Sequence, residues 1–374
     1  MWLTDLPAFV PFFIAALLAS ITRGWLRNLI VLATPVLGGL HLWLDVTPGL
    51  VSTVPILEYE LTLMRADRLS LLFGYIFHIA AFIAAIFALH VRDTTQTVSG
   101  LLYAGSALGA VFAGDLITLF IFWELLAISS VFLIWAGRTE RAIRSGMRYL
   151  VIQVSSGMLL LAGALVQYYQ TGSLAFDFIG LEGISGWLIF LAFGIKCAFP
   201  MLHNWLTDAY PEATPTGTVF LSVFTTKVAV YALARGFPGT ELLVYIGAVM
   251  TCFPIFFAVI EKDLRRVLAY SLINQLGFMV CGIGIGTALA LNGTVAHAFS
   301  HILYKALLFM SMGAVLYRAG TNKASDLGGL YKSKPKTASL CIVGACSISA
   351  FQLFSGFVSK SMVKAAMIEE GYDY

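Results

Sequence analysis

Long apolar runs follow one another through almost the whole chain, and they constrain its fold more than any other feature. A membrane-spanning helix needs about 20 predominantly apolar residues. The 374-residue sequence is 59% hydrophobic and only 11% charged, whereas about a quarter of the residues of a typical soluble domain are charged. The sequence therefore predicts an all-α polytopic membrane protein.

We predict about twelve transmembrane helices. Their bounds are 6–22, 25–46, 68–91, 97–113, 115–136, 145–170, 184–206, 216–235, 240–261, 264–285, 288–318 and 337–367. Between the second and third predicted helices, single apolar residues are separated by Pro55 and Glu60. That pattern predicts a short extracytoplasmic hairpin or loop over 47–67.

The basic residues fall on alternate loops, and this asymmetry predicts the orientation of the chain. Cytoplasmic loops of membrane proteins are enriched in lysine and arginine. The basic loops contain Arg23, Arg27, Arg92, Arg138, Arg141, Arg144, Lys262, Arg265, Arg266, Arg318, Lys323, Lys332, Lys334 and Lys336. We therefore expect a multi-pass protein of the cell (inner or plasma) membrane with its N-terminus outside.

Two of the predicted spans carry a helix-breaking signal beside a lysine. Pro200 follows Lys196, and Ser355-Gly356 precedes Lys360. Interrupted helices at corresponding places indicate inverted repeats around a mid-membrane ion site, and these two lie five spans apart. We predict three N-terminal helices with the hairpin over 1–96, a first five-helix antiporter repeat over 97–236, and an inverted second repeat over 237–374. The second repeat lacks one span within these residues, so we expect it to be truncated.

Five ionisable side chains lie near the middle of apolar spans: Glu124, Lys196, Lys227, Lys305 and Lys360. A charge at the bilayer centre costs roughly 2.5–3.5 kcal/mol, and such residues are usually part of an ion or proton pathway. We expect Glu124 to pair with a lysine of another helix and to act as a switch. The alternative is a structural ion pair that only fixes packing.

Further titratable residues extend this set. His297, His301 and Lys305 are spaced four residues apart and therefore share one helix face. They are predicted to form a polar wire, or alternatively to be buried histidines that bond to nearby carbonyls. His203 and Asp208 are predicted to line a proton entrance, although Asp208 also suits a turn or cap. The sequence has no pattern for a cofactor, a metal site or a nucleic-acid interface, so none is expected.

Several segments resemble the antiporter-like membrane subunits that respiratory complex I shares with Mrp-type multi-subunit sodium/proton antiporters. They are Asp67–Phe73, Trp123–Glu124, Lys196–Pro215, Asp263–Ser271, His301–Leu308 and Ser355–Lys360. Within that family, Thr226–Arg235 is most similar to the D-type antiporter subunit. Members normally have about fourteen spans.

The resemblance implies roles for the matching positions. Glu124 and Lys196 would form the ion-pair switch, and Lys227 and His301 would relay protons. Lys305 would bridge the two halves, and Lys360 would exchange protons with the outer half.

The function expected from the residues and the resemblance together is proton translocation in a hetero-oligomeric sodium/proton antiporter. The partners would be other membrane subunits, protons, monovalent cations and lipid. One alternative is a proton-pumping subunit of a complex I-type NADH:quinone oxidoreductase, in which case the chain would belong to an enzyme rather than to a transporter alone. Another is a non-transporting structural subunit or a fragment.

Overall fold

The computed structural model describes residues 6–56 and 59–372, and these divide into two compact units that meet at the Lys196–Cys197 bond. Helices of the first unit are α1 (Val10–Ile21), α2 (Gly24–Leu44), α3 (Arg68–Ala88), α4 (Thr94–Phe112), α5 (Leu116–Trp135), α6 (Glu140–Thr171) and α7 (Gly183–Lys196). Strands β1 (Val51–Ile56) and β2 (Tyr59–Arg65) pair antiparallel, with Val54 opposite Leu61. This strand pair lies in the segment for which a hairpin or loop was predicted.

The second unit consists of helices and two short 3₁₀ turns over its described residues. The helices are α8 (Asn204–Ala209), α9 (Pro215–Val223), α10 (Thr225–Gly236), α11 (Leu242–Ile260), α12 (Leu264–Ile285), α13 (Ala288–Ala319), α14 (Leu330–Ser333), α15 (Pro335–Ile348) and α16 (Ser355–Glu369). The 3₁₀ turns are Tyr210–Glu212 and Ala324–Asp326.

Helix length and apolar composition agree with a multi-pass membrane protein. In the described part of the chain, eight helices are long and apolar enough to cross a membrane, counting Pro215–Gly236 as one. Shorter apolar helices are α1, α7 and α15. The all-α membrane fold is therefore confirmed, and the count of twelve spans stays a prediction.

The first helix break lies where it was predicted, around Pro200, whereas the second lies just before the predicted place. Pro200 lacks an N–H and its ring clashes with the carbonyl four residues earlier; that residue is Lys196, where α7 ends. In the second unit the break covers 349–354, so Ser355-Gly356 opens α16 instead of forming the interruption. The span predicted as continuous over 216–235 is also divided, at Phe224.

The same backbone pattern occurs twice in the chain, about 148 residues apart. Adding 148 to the bounds of α4 (94–112) gives those of α11 (242–260). The same addition to α6 (140–171) gives α13 (288–319), including a Thr N-cap and a left-handed Gly C-cap on each. Both helix breaks also contain two non-glycine residues with positive φ, Ala198 and Met201 in one and Ala350 and Leu353 in the other.

Aspartate caps fix the beginnings of α5 and α12, which are equivalent in this pattern. The Asp115 carboxylate accepts hydrogen bonds from the N–H and hydroxyl groups of Thr118 and from the Thr62 N–H, at 2.7 Å each. Asp263 accepts from the N–H groups of Arg265 and Arg266. A cap satisfies donors that the first helical turn leaves unpaired. Asp115 is thus the N-cap of α5.

Each capped helix is also tied to the segment that follows the next long helix. In the first unit, the Leu116 N–H donates to the Leu174 carbonyl at 2.9 Å and the Phe176 N–H to the Gly114 carbonyl at 3.0 Å. In the second, the Leu264 N–H donates to the Asn322 carbonyl at 3.0 Å and the Ala324 N–H to the Lys262 carbonyl at 2.9 Å. The helix pairs α5–α6 and α12–α13 are therefore closed at their open ends.

Candidate functional site

In the first unit, Lys196 on α7 lies against the residue that precedes Glu124 on α5. Lys196 is the last residue of α7 and is fully buried, and its Nζ donates a 2.5 Å hydrogen bond to the backbone carbonyl of Trp123. The same Nζ lies 4.6 Å from the centroid of the Trp123 ring, a distance at which an ammonium group is attracted to the aromatic face. The lysine therefore contacts the residue that precedes Glu124.

The Glu124 carboxyl is half-buried, and its Oε1 has no hydrogen-bond partner among the described residues. The predicted Glu124–Lys196 pair is thus a neighbouring pair without a direct hydrogen bond in this structure. Trp123 connects it to other helices, because its Nε1 donates to Ser156 Oγ at 2.9 Å and that hydroxyl donates to the Ala192 carbonyl at 2.7 Å.

Lys227 lies in the second unit, in the first turn of α10, and is fully buried. Its Nζ donates to the Ser222 carbonyl at 2.6 Å and to Thr226 Oγ1 at 3.2 Å. Ser222 belongs to α9, so the lysine bridges the interruption at Phe224. Sequence reasoning placed Lys227 in an uninterrupted helix and missed this carbonyl partner, because no proline or glycine marks the break.

His297, His301 and Lys305 share one buried face of α13, as their spacing predicted. The two imidazole rings have centroids 6.1 Å apart. Neither nitrogen of His301 has a hydrogen-bond partner among the described residues. Lys305 Nζ donates to Ser271 Oγ on α12. The carbonyl alternative for these histidines is absent at His301, whose ring instead packs edge-on against Tyr304, with centroids 5.3 Å apart.

Lys360 connects this face to the second break. Its side chain is half-buried, and its Nζ donates to the carbonyl of Ile348, the last residue of α15, at 2.7 Å. The preceding residue, Ser359, has its hydroxyl 2.9 Å from His297 Nδ1. His297 and Ser359 therefore connect α13 to α16, and Lys360 connects α16 to the end of α15.

His203 lies apart from this buried axis, beside the first break. It is half-buried and lines an open pocket with Pro200, Asn204 and Tyr270. Its ring packs against Phe253, with centroids 4.7 Å apart. Asp208 is half-buried on α8. Because the pocket beside His203 is open, this position fits a role at an entrance better than a role in a closed relay.

The buried oxygen partners are the part of the site that the sequence did not reveal. Three lysines, Lys196, Lys227 and Lys305, are fully buried and donate to a carbonyl or a hydroxyl. Among the described residues, no carboxylate lies within ion-pair distance of any of them. A buried charge without an opposite charge within ion-pair distance is costly.

Known proteins share both the sequence and the fold. The model of the NADH:quinone oxidoreductase/Mrp antiporter transmembrane family matches residues 113–372. The D-type subunit of the Na(+)/H(+) antiporter of Alkalihalophilus pseudofirmus is 32% identical over 285 residues, which is 71% of this chain and 58% of that protein. The N-type subunit of the NADH-quinone oxidoreductase of Desulforudis audaxviator is 32% identical over 292 residues, 72% of this chain and 58% of that protein.

A solved structure agrees with these sequence relatives. A chain of the Mrp complex from Dietzia sp. superposes with a TM-score of 0.88 at 25% identity, covering 99% of this chain and 75% of the other. The matched part of this chain spans a little over half the length of each of the two curated relatives, 58% in both cases. On the family match over most of its length and on this shared fold, the chain belongs to the NADH:quinone oxidoreductase/Mrp antiporter transmembrane family.

Proposed function

We propose that this chain is the proton-translocating membrane subunit of a hetero-oligomeric monovalent cation/proton antiporter, with sodium as the coupled cation. The observation that carries the proposal is the set of fully buried lysines whose hydrogen bonds go to neutral oxygen atoms. Such lysines can change protonation state without breaking an ion pair. Similarity to the D-type Na(+)/H(+) antiporter protein of Alkalihalophilus pseudofirmus supports the choice of antiport.

In this proposal each unit supplies part of the path. Glu124 and Lys196 act as the switch of the first unit, and Lys227, His301 and Lys305 relay protons in the second. Lys360 exchanges protons with the outside, and His203 with Asp208 lines the entrance. Two inverted repeats, over 97–236 and 237–374, would carry these groups. The recurrence of helix bounds and of paired positive-φ residues supports that layout.

We further propose that the N-terminus lies outside the cell membrane and that the other subunits of the complex complete the cation path. The membrane potential would drive proton movement, at about 2.3 kcal/mol per charge per 100 mV. The sequence distribution of arginine and lysine supports the orientation.

The test is cation-dependent proton efflux in inverted vesicles that contain the whole complex, with wild type, Lys196→Ala and Lys262→Ala compared. Lys262 is an exposed lysine outside the helices and serves as the control. We expect sodium to dissipate a preformed pH gradient in wild type and in the control, and Lys196→Ala to slow this at least tenfold. Equal rates in all three would show that Lys196 lies off the path.

A second candidate function is proton pumping in a complex I-type NADH:quinone oxidoreductase. It is favoured by the 32% identity with the NADH-quinone oxidoreductase protein of Desulforudis audaxviator, which equals the identity with the antiporter protein. This alternative would be established, and antiport excluded, if wild-type vesicles showed no sodium-dependent proton efflux but acidified when a redox donor was supplied.

A further inference from the structure

One face of α6 lies against Glu124, and it has no role in the pathway described above. Gly157 faces the Glu124 side chain so closely that a Cβ atom at this position would overlap Oε1. The carboxyl group therefore occupies a notch in α6 that only a glycine leaves open. Four residues earlier on the same face is Gln153, about 6 Å away along the helix axis.

Gln153 is an unusual residue to find in the interior of a membrane protein. Its side chain is fully buried, and neither its amide nitrogen nor its amide oxygen has a hydrogen-bond partner among the described residues. A buried amide left without partners costs on the order of 1–3 kcal/mol, so such groups are hydrogen-bonded to water when the protein supplies nothing. Glu124 Oε1, which lies against Gly157 one helical turn after Gln153, is also buried without a hydrogen-bond partner among the described residues.

The repeated backbone pattern supports a role for this face. Adding 148 to Tyr149, Gln153 and Gly157 gives 297, 301 and 305, the positions of the two histidines and the lysine on α13. Gln153 is thus the counterpart of His301, and each is a fully buried side chain with two nitrogen or oxygen atoms that have no hydrogen-bond partner among the described residues. One turn before Gln153, the Tyr149 hydroxyl is hydrogen-bonded to Ser130 Oγ at 2.7 Å, so the polar face continues along the helix.

We propose that Gln153 is a positioning residue of the proton site, and that its amide holds water against the Glu124 carboxyl in the notch at Gly157. An amide can donate one hydrogen bond and accept another at once. It therefore orients a water molecule so that the water donates to the carboxylate or accepts from the carboxylic acid. Gln153 itself neither gains nor loses a proton in this arrangement. The inference rests on the proposed function, in which Glu124 forms the switch of the first unit with Lys196.

The experiment replaces Gln153 in the intact complex and follows sodium-dependent proton efflux in inverted vesicles. Gln153→Met keeps the length of the side chain and removes both hydrogen-bonding atoms, whereas Gln153→His supplies the side chain found at the counterpart position. Gln167→Met, on the same helix, is the matched control. We expect Gln153→Met to slow efflux at least tenfold at an unchanged amount of assembled complex, and Gln153→His and Gln167→Met to stay within about threefold of wild type.

The outcomes separate the inference from the function on which it rests. Wild-type vesicles without sodium-dependent efflux would overturn the proposed function. Active wild type with an equally active Gln153→Met variant would overturn the role of Gln153. Equal losses in the Met and His variants of a fully assembled complex would show that the residue matters for packing alone. If Gln153→Met does not assemble, Gln153→Leu takes its place in the same comparison.

Discussion

At the scale of single residues, the site depends on oxygen atoms that sequence reasoning does not single out. The Trp123 carbonyl accepts from Lys196, the Ser222 carbonyl from Lys227, and the Ile348 carbonyl from Lys360. In two of these cases the acceptor lies in the last turns of a helix that ends at a break, where carbonyls have no partner within the helix. Interrupted helices thus supply carbonyl acceptors for lysine side chains.

Gly157 gives the first prediction at this scale. Gly157→Ala would place a methyl group on the Glu124 carboxyl and push it out of the notch. We expect sodium-dependent efflux to fall at least tenfold, and the shorter side chain of Glu124→Asp to restore part of it in the double variant. The measurement is efflux at equal amounts of assembled complex.

Gly328→Ala is the control for that substitution, because an added Cβ there meets no atom within 4 Å. Its rate should equal that of wild type. A Gly157→Ala variant as active as Gly328→Ala would mean that the Glu124 carboxyl does not need the notch.

The charged residues themselves were predictable, and the groups around them were not. A lysine or glutamate in an apolar run stands out in composition alone, as Glu124 and Lys305 did. Gln153 carries no charge and gives a weaker signal, although a glutamine in the apolar segment 145–170 could have been noted. A backbone carbonyl gives no signal, since every residue has one.

At the scale of helices, apolar runs in the sequence predict most bounds to within a few residues. Prediction and structure agree over 264–285, where Asp263 caps the helix. The breaks were harder to predict, because Ala198, Met201, Ala350 and Leu353 adopt positive φ values that sequence pattern assigns to glycine. The fold imposes that backbone against local preference, which costs roughly 1–2 kcal/mol per residue.

Met201 allows this strain to be tested. It is 89% exposed with φ of 67°, so Met201→Gly removes the Cβ clash and few side-chain contacts. We expect the variant to raise the free energy of unfolding by up to about 1 kcal/mol, after the entropy that glycine adds to the unfolded chain. Thermal unfolding of the purified complex measures the change as a higher midpoint temperature.

Replacing a methionine by glycine inside a regular helix should instead lower the free energy of unfolding. Met147 is half-exposed within α6, and Met147→Gly should cost about 1 kcal/mol. If both variants lowered the midpoint equally, the backbone at Met201 would not be strained.

At the scale of the whole molecule, the family and the membrane fold follow from composition and motif, whereas the orientation depends on the membrane. Two of the basic residues on which the predicted orientation is based also stabilise the fold through hydrogen bonds to backbone carbonyls. Arg27 is buried and donates to the Thr22 carbonyl, and Arg265 is buried and donates to the Ala213 carbonyl at 2.7 Å. The predicted orientation is therefore better supported by exposed basic residues such as Arg138.

Labelling from one side of the membrane tests that orientation. The side chains of Arg138 and Asp177 are 78% and 65% exposed and lie at opposite ends of α6. With exposed Cys252 replaced by serine, we expect a membrane-impermeant maleimide to label Asp177→Cys in intact cells and Arg138→Cys only in inverted vesicles. The reverse pattern would place the N-terminus inside.

The ties at the open ends of α5–α6 and α12–α13 have a mechanical consequence. Two helices joined by a loop at one end and by backbone hydrogen bonds at the other resist splaying, so each pair behaves as a stiff frame. Among the described residues, the interrupted helices show no such closure, so we expect them to bend more easily than the frames. Within the first unit, Glu124, Gln153 and Gly157 lie on one frame, whereas Lys196 is the last residue of α7, next to a break. We therefore expect distances within the frame to vary less than the distance between Lys196 and Glu124.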